Sequence, residues 1–340
     1  HPVLLAIGSG SAWLFSSNTG WRINLGKLTL VALVLTILAA MLWRFTHLDY
    51  RFWRFAHKGA ILVVAAAFVH SMLVGSDTQS DAMRTYWWLL LSMSVGLFSY
   101  RNWVFPWVGR RSFTVTAVEP ATHDTWTITL APISGSVFAY HPGQFMFLRL
   151  RRKGFRSEEH PFTISSSPTR QGSVTVTVKE SGDFTRTIGK TLPGDIAGVE
   201  APFGRFSLVH CAAVRFLFIA GGVGITPIMS MLRYLRDTGD TRPATVIYGN
   251  RTESDIIFRA ELEAFSKHVE VVHVLTAPGP GWNGERGFVT QELLAAHVGG
   301  ALPDAQVFLC GPPLMMRAVL RTLLRLNVPG THIHYERFAL

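Results

Sequence analysis

The sequence predicts a multidomain protein: an α-helical transmembrane bundle, then an antiparallel β-barrel, then an α/β domain with a parallel sheet. Three observations support this order. Apolar runs fill much of the first hundred residues, short β-rich runs broken by turn residues follow, and strands then alternate with helices. A chain of 340 residues is also too long for one ordinary domain. We place the three domains at 1–108, 109–210 and 211–340.

Three apolar runs predict the membrane spans. They cover 28–43, 59–75 and 85–100, and the only residue in them that could carry a charge is His70. Each run is slightly shorter than the roughly 20 residues that span hydrocarbon, so a buried core helix is the alternative. The chain begins without methionine at HPVLLAIGSGSAWLF. We interpret this start as the tail of another apolar helix in an N-terminally truncated chain, since it lacks the pattern of a signal peptide.

The charge distribution predicts the orientation of these spans. Lys and Arg number 32 against 22 Asp and Glu, which gives a net charge of +10. A basic balance can indicate nucleic-acid binding, but here basic residues cluster beside the apolar runs, at 44–58 and after 101, so we expect no nucleic-acid partner. The positive-inside rule then places both segments in the cytoplasm. We therefore expect a multi-pass protein of the cell (inner) membrane, in contact with the lipid bilayer.

Two histidines bracket the second apolar run. His57 and His70 lie 13 residues apart, which is about 20 Å along a helix. Ionisable side chains inside a span are usually functional, and two b-type haems held by imidazole pairs would explain them. His1 is a candidate for a further haem ligand. The alternative is that the histidines bond to neighbouring carbonyl groups, and 13 helical steps also place them about 140° apart around the helix.

Two segments of the predicted barrel carry a family resemblance. HPFTISSSP begins at His160, and ESGDFTRTIGK follows about twenty residues later. Together they resemble the flavin-binding motifs of the ferric reductase and NADPH oxidase family. The resemblance implies that the barrel binds FAD, with a hydroxyl at Thr163 bonded to the reactive edge of the flavin. The residues it assigns to the flavin are His160, Pro161, Phe162 and Thr163, and those assigned to the pyrophosphate are Gly182, Thr185 and Arg186.

A glycine turn opens the third domain, in IAGGVGITPIMSML. Glycines let the backbone approach a phosphate closely, Thr226 can cap the following helix, and Pro227 suits its first turn. The turn departs from G-x-G-x-x-G, so it is not the ordinary Rossmann fingerprint. It resembles the nicotinamide-dinucleotide loop of the ferredoxin-reductase superfamily; a turn that merely connects strand to helix is the alternative. Its assigned residues are Gly221, Gly222, Gly224, Ile225, Thr226 and Pro227.

The C-terminal part of the chain adds three site predictions. LCGPPLMM resembles the later loop of that superfamily, which places Cys310, Gly311 and Pro312 against the nicotinamide; a buried structural cysteine is the alternative for Cys310. HYERFAL resembles the terminal aromatic segment, with Phe338 stacking on the flavin. Thr163, Cys310 and Phe338 are thus the predicted catalytic residues. Arg251 follows the second strand, where NAD-specific folds place an acid, and therefore favours NADPH over NADH.

The resemblance implies a transmembrane NAD(P)H oxidoreductase. Electrons would pass from NAD(P)H through FAD and two haems to a ferric chelate or dioxygen at the outer face, because flavin accepts hydride and haem accepts single electrons. The sequence does not decide between these acceptors. A different function also stays open: the spans could anchor a flavin reductase module that serves an electron-transfer partner in the cytoplasm. That module would need no haem.

Overall fold

In the computed structural model, the described residues are 20–42, 50–75, 80–105, 110–265 and 268–337. The chain divides into two compact units, His1–Gly109 and Arg110–Leu340. The three boundaries predicted above remain a prediction, since the second unit contains both of the predicted soluble domains.

The first unit contains three described helices, α1 (Trp21–Leu42), α2 (Tyr50–Val74) and α3 (Asp81–Ser99), and a π-helical turn at Tyr100–Val104. Ser80 caps α3 by accepting a hydrogen bond from the Met83 amide at 3.3 Å. In length and composition, two described stretches could cross a membrane, Trp21–Met41 in α1 and His57–Val74 in α2. The expected bundle of four spans is not supported, because α3 does not qualify and residues 1–19 lie outside the description.

His70 joins two helices of this unit. Its Nδ1 lies 2.9 Å from the carbonyl oxygen of Arg22, at the start of α1. Its ring also covers Gly26, where a Cβ would lie 2.3 Å from ring atoms. This contact corresponds to the alternative interpretation of the histidine, in which it bonds to a neighbouring carbonyl group. A polar side chain in an apolar helix needs such a partner. His1, the other proposed ligand, lies outside the described residues.

The second unit begins with the predicted antiparallel barrel. Its strands are β1 (Arg111–Thr122), β2 (Thr125–Pro132), β3 (Phe145–Arg151), β4 (Glu159–Thr163), β5 (Val174–Lys179) and β6 (Ile196–Phe203). They pair in the order β4-β3-β6-β1-β2-β5, and a bridge between Ile164 and Val176 brings the two outer strands together. Alternating residues such as Met146, Leu148 and Leu150 fill the interior, as the period of a strand requires.

A parallel sheet follows, as predicted. Its strands are β7 (Arg215–Gly221), β8 (Ala244–Asn250), β9 (Val269–Leu275), β10 (Glu285–Arg286), β11 (Ala305–Cys310) and β12 (Ile333–Glu336), in the order β10-β9-β8-β7-β11-β12. Helices α4 (Ile225–Asp237), α5 (Arg259–Glu263), α6 (Gln291–His297) and α7 (Pro313–Arg325) connect them. One apolar core packs on each face of the sheet.

The region between β8 and β9 differs from the sequence prediction. The alternation of strands and helices in this domain predicts a helix over SDIIFRAELEAFSK, the segment after β8, but α5 begins only at Arg259. Ile256 and Ile257 are buried in the core in non-helical conformations, and Phe258 adopts a positive φ of 60°. Apolar burial in the core therefore outweighs the local helix pattern.

Candidate active site

The segment HPFT forms strand β4 at one end of the barrel's strand order. Thr163 lies opposite Phe145 of β3 and is 8% exposed. Within the described part of the chain, its hydroxyl has no hydrogen-bond partner, so it is free to bond a ligand. Residues of a strand alternate between faces, and His160 and Phe162 both stack on Phe184, with ring centroids 4.2 and 6.3 Å apart. Pro161, between them, is exposed.

The predicted pyrophosphate segment is a tight turn at the surface. The Thr185 hydroxyl accepts hydrogen bonds from the amides of Ser181 and Gly182, at 2.9 and 2.8 Å. A 3₁₀ turn, Thr185–Lys190, continues from it, and the exposed side chain of Arg186 lies in its first turn. This arrangement combines backbone donors with a cation, which suits a phosphate group.

Sequence reasoning missed Arg152, a buried cation beside this turn. The residue is 6% exposed, and its guanidinium donates to the carbonyl oxygen and the hydroxyl of Thr187, at 2.5 and 3.0 Å. It also lies over the ring of Phe184, at 5.0 Å. Burial lowers the pKa of Arg152, while the charge of Asp195 acts in the opposite direction. The signal in the sequence was a run of five basic residues within 149–156.

The glycine turn lies between β7 and α4. Gly222 adopts a φ of 52°, which favours glycine, and α4 begins directly after Gly224. Pro227 lies in the first turn of this helix, as predicted. Thr226 does not cap the helix, because its hydroxyl donates to the Val223 carbonyl at 3.0 Å. The Ile225 amide donates to carbonyl groups of the preceding turn and Pro227 has no amide hydrogen, so an anion here would be favoured chiefly by the positive end of the helix dipole.

The cysteine loop touches this turn directly. A Cβ at Gly224 would lie 2.3 Å from the carbonyl oxygen of Cys310, and one at Gly311 would lie 3.0 Å from the Gly221 amide nitrogen. The contact follows from the sheet, because β7 and β11 are parallel neighbours whose carboxyl ends meet at one edge. Pro312 follows and caps α7, which extends away from the loop.

Two titratable groups lie side by side at that edge. Cys310 of β11 pairs in register with Glu336 of β12. Burial raises the pKa of the Cys310 thiol strongly, and the charge of Glu336 adds to the effect. Burial also raises the pKa of Glu336. The thiol is therefore protonated at neutral pH and does not act as a nucleophile. Glu336 was missed although it lies within HYERFAL; Phe338, predicted from the same segment, lies outside the described residues.

Arg251 lies at the same edge, immediately after β8. Its side chain is exposed and, among the described residues, makes no hydrogen bond or ion pair, while its carbonyl oxygen accepts from the Ala277 amide at 2.7 Å. A free guanidinium at this position suits a phosphate on the ribose. A cavity of about 910 Å³ is lined by none of the site residues predicted from the sequence, but Ser166 and Arg233 contribute to its walls.

The comparisons with known proteins agree with two nucleotide-binding domains. Residues 110–197 match a family described as "FAD-binding domain", and residues 218–321 match "Oxidoreductase NAD-binding domain". The chain is 31% identical to the reductase component of propane 2-monooxygenase from Mycolicibacterium goodii over 236 residues, which cover 66% of each chain. It is likewise 31% identical over 235 residues to ferredoxin–NADP reductase B of Sorangium cellulosum, covering 66% of this chain and 96% of the relative.

A solved structure shows the same fold. The cytochrome b5 reductase domain of nitrate reductase from Ulva prolifera superposes with a TM-score of 0.61 at 22% identity, covering 67% of this chain and 97% of that domain. The chain thus spans about two thirds of the length of the monooxygenase reductase component and almost all of the two shorter proteins.

These findings correct the expected family and function. The matching relatives are a reductase component and a ferredoxin–NADP reductase, so assignment to the ferric reductase and NADPH oxidase family is wrong. The expected transfer of electrons through haem to a ferric chelate or dioxygen depended on this family assignment and is therefore wrong as well. The two haems have no support, since the matched families describe FAD and NAD domains and no cluster of described His, Cys, Asp or Glu side chains could hold a metal. Without support for a haem, the predicted role of His57 and His70 as haem ligands has no support either.

What remains is the flavin and nicotinamide chemistry. The residues fit both groups: the Thr163 hydroxyl without a partner among the described residues, a turn of backbone donors at Thr185, and glycines at positions where side chains would clash. The chain contains an FAD-binding domain and an oxidoreductase NAD-binding domain. With the family domains, the fold and the relatives in agreement, the chain belongs to the ferredoxin–NADP reductase family.

Proposed function

We propose that the chain is a reductase module that takes a hydride from NADPH and passes electrons singly to a protein partner. Bound FAD supplies the conversion, because it accepts a hydride and releases one electron at a time. One observation carries the proposal: a series of neighbouring residues leads from the flavin strand to the nucleotide turn. Thr163 of β4 lies opposite Phe145 of β3. Gly204 lies between Phe145 and Glu336, since a Cβ built on it would be 3.1 Å from the first and 3.9 Å from the second. Glu336 in turn pairs with Cys310 across β12 and β11.

On this proposal, the residues at the edge of the sheet have the following roles. Thr163 bonds the reactive edge of the flavin, and Cys310 lies against the nicotinamide beside Glu336. Because burial strongly raises the pKa of the Cys310 thiol, this side chain is neutral at pH 7 and places no negative charge beside the hydride. The flavin is held by His160, Pro161 and Phe162, and its pyrophosphate is held by Gly182, Thr185 and Arg186. The dinucleotide is held by Gly221, Gly222, Gly224, Ile225, Thr226, Pro227, Gly311 and Pro312.

NADPH is the proposed nucleotide because of Arg251. The side chain is exposed, has no partner among the described residues and follows a central strand at the ligand-binding edge. A 2′-phosphate would supply the anion that this guanidinium lacks in the protein.

The proposed acceptor is a protein that takes one electron at a time. The Mycolicibacterium goodii relative is named as the reductase component of a monooxygenase, which implies a separate component that receives its electrons. We extend this relationship to the present chain, whose partner would be an oxygenase or another electron-transfer protein.

The apolar helices suggest where the module works. On α1 and α2, large apolar side chains are exposed, including Leu28 at 70%, Leu35 at 60% and Leu62 at 72%. Such surface is costly in water and is favourable in hydrocarbon. We propose that residues 1–108 anchor the protein in the cell membrane, with the FAD domain (109–210) and the NAD(P) domain (211–340) in the cytoplasm.

The test is anaerobic reduction of the FAD-loaded protein. Mixing it with NADPH should bleach the flavin absorbance within one turnover, and a one-electron acceptor protein such as cytochrome c should then be reduced with two equivalents per NADPH. A flavin that neither NADPH nor NADH reduces would contradict the proposed function. Recovery of the protein from the aqueous fraction after cell lysis, without detergent, would contradict the membrane anchor alone.

A further inference from the structure

We infer that Ser230 and Arg233 of α4 are positioning residues that fix the flavin strand relative to the nucleotide helix, and so set the approach of the nicotinamide to the flavin. The inference rests on the proposed function and deepens it. Neither residue is among those predicted from the sequence to contact flavin or nucleotide, and neither needs to touch them. Both act through the main chain of the segment that follows Thr163.

The two side chains bind two successive carbonyl groups of that segment. The Ser230 hydroxyl donates to the carbonyl oxygen of Ser166 at 2.6 Å, and the Arg233 guanidinium donates to that of Ser165 at 2.6 Å. Ser165, Ser166 and Ser230 are at most 2% exposed. Buried hydrogen bonds of this kind fix geometry, because breaking one leaves an unpaired carbonyl away from water.

The position of these bonds along α4 gives them their effect. The helix begins at Ile225, at the proposed dinucleotide site, and Ser230 and Arg233 lie within its next two turns. Ser165 and Ser166 come two and three residues after Thr163, whose hydroxyl is proposed to bond the flavin. One rigid helix therefore carries the nucleotide at its start and holds the flavin segment along its side.

Arg233 is itself held on two further sides. Its Nε and one terminal nitrogen donate to the two carboxylate oxygens of Glu261, at 2.9 and 2.5 Å, and its guanidinium lies 4.7 Å from the Phe258 ring centroid. Burial acts to raise the pKa of Glu261, but the bonds and charge of Arg233 outweigh it, and the pKa is lowered. A bidentate pair has one favoured orientation, so the third donor is aimed at Ser165.

Hydride transfer is sensitive to this kind of placement. The nicotinamide carbon that gives the hydride and the flavin nitrogen that accepts it must approach to about 3–3.5 Å, and a displacement of about 1 Å can slow the step by roughly 100-fold. Loosening the helix from the flavin segment should therefore slow the chemical step, while the dinucleotide turn and the FAD contacts stay intact.

Arg236 provides a matched control on the same helix. It lies about one turn beyond Arg233, pairs with Asp237 at 3.0 Å and reaches Glu261 at 3.2 Å. Within the described residues it makes no bond to the flavin segment. Arg236→Met thus removes a similar charge and a bond to the same residue, Glu261. It leaves in place the bonds from Ser230 and Arg233 to the two carbonyl groups of the flavin segment.

The experiment measures flavin reduction in single turnovers with the full-length, FAD-loaded protein. Wild type, Arg233→Met, Arg233→Lys, Ser230→Ala and Arg236→Met are each mixed with NADPH and with NADPH dideuterated at C4. For Arg233→Met we expect a limiting rate about 10- to 100-fold below wild type, with NADPH affinity within about twofold. Arg233→Lys, which keeps one donor, should recover part of the rate, Ser230→Ala should be slower than wild type, and Arg236→Met should match it. The deuterium isotope effect should be at its full value in the slow variants, since hydride transfer then limits the rate alone.

Three results would overturn the inference. One is a wild-type limiting rate in Ser230→Ala and Arg233→Met at equal FAD content. Another is an equal loss of rate in Arg236→Met, which would indicate a general charge or stability effect. The third is a loss confined to NADPH affinity. If Arg233→Met does not fold, the smaller change Ser230→Ala decides between these outcomes. A wild-type flavin that is not reduced at all would instead contradict the proposed function.

Discussion

The carbonyl oxygen of Cys310 lies against Gly224, so closely that a Cβ on the glycine would come within 2.3 Å of it. Both partners of this contact are main chain, so neither a rotamer change nor a flexible side chain can relieve it. The turn that would hold the dinucleotide and the loop that would face the nicotinamide are thus in mutual contact, and only glycine fits between them.

We therefore predict that Gly224→Ala displaces the turn from the cysteine loop. Backbone strain of about 1–3 kcal/mol should appear as a roughly 5- to 150-fold weaker binding of NADPH, measured by titration of the FAD-loaded protein. Gly300→Ala is the control, because a Cβ at Gly300 meets no atom within 4 Å. Equal NADPH affinity in the two variants would show that the contact is not needed for binding.

Arg251 should distinguish the two nicotinamide nucleotides. If its free guanidinium binds the 2′-phosphate, Arg251→Ala should raise KM for NADPH by roughly 10- to 150-fold, the effect of a charged hydrogen bond of about 1.5–3 kcal/mol, and leave KM for NADH nearly unchanged. Arg317→Ala, which changes an exposed arginine on α7, should affect neither. Equal increases with both nucleotides would assign Arg251 another role.

Arg152 should matter for retention of the flavin. Arg152→Met removes two hydrogen bonds, so the hydroxyl and the carbonyl oxygen of Thr187 both lose the guanidinium as a donor. The turn that carries Thr185 should then loosen, and FAD should bind roughly tenfold or more weakly, because each lost charged hydrogen bond is worth about 1.5–3 kcal/mol. Flavin fluorescence on dilution measures the release. Arg151→Met, which changes the exposed neighbour, should retain FAD as wild type does; the same release from both variants would exclude a specific role for Arg152.

The fold could be predicted from local patterns where those patterns agree with burial. Alternating apolar residues in β3 and the glycine turn before α4 are both local features, and both form as expected. The helix predicted after β8 failed because Ile256 and Ile257 are required by the core. The family prediction is wrong because the motifs HPFT and GDFT indicate flavin binding alone, and two histidines in an apolar run do not by themselves indicate a haem.

Residues whose role depends on distant partners could not be identified in this way. Arg152 bonds Thr187, 35 positions away, and Arg233 bonds Ser165, 68 positions away. Glu336 becomes a neighbour of Cys310 only because β11 and β12 pair. No spacing rule links such positions, since the connection depends on the tertiary fold. Their discovery required the structure.

His297 should make the stability of the second unit depend on pH. Its Nδ1 lies 3.2 Å from Glu270 on β9, and its Nε2 lies 3.1 Å from Glu285 on β10. Burial acts to lower the pKa of His297, but hydrogen bonds and charges from Glu285 and Glu270 outweigh it, and the pKa is raised. A raised pKa means that the folded protein binds the proton more tightly than the unfolded chain.

The stabilisation should therefore be fully present below the unfolded pKa of about 6.5 and be lost as the pH rises through the higher folded value. We predict that His297→Gln lowers Tm at about pH 5.5–6, and that the difference from wild type shrinks steadily towards about pH 9. Glu285→Gln, which removes one of the two carboxylates, should give a smaller loss with the same pH trend. Thermal unfolding followed by circular dichroism across this range measures both. A difference that is constant with pH, or that grows as the pH rises, would show that protonation of His297 does not link its helix to the neighbouring strands.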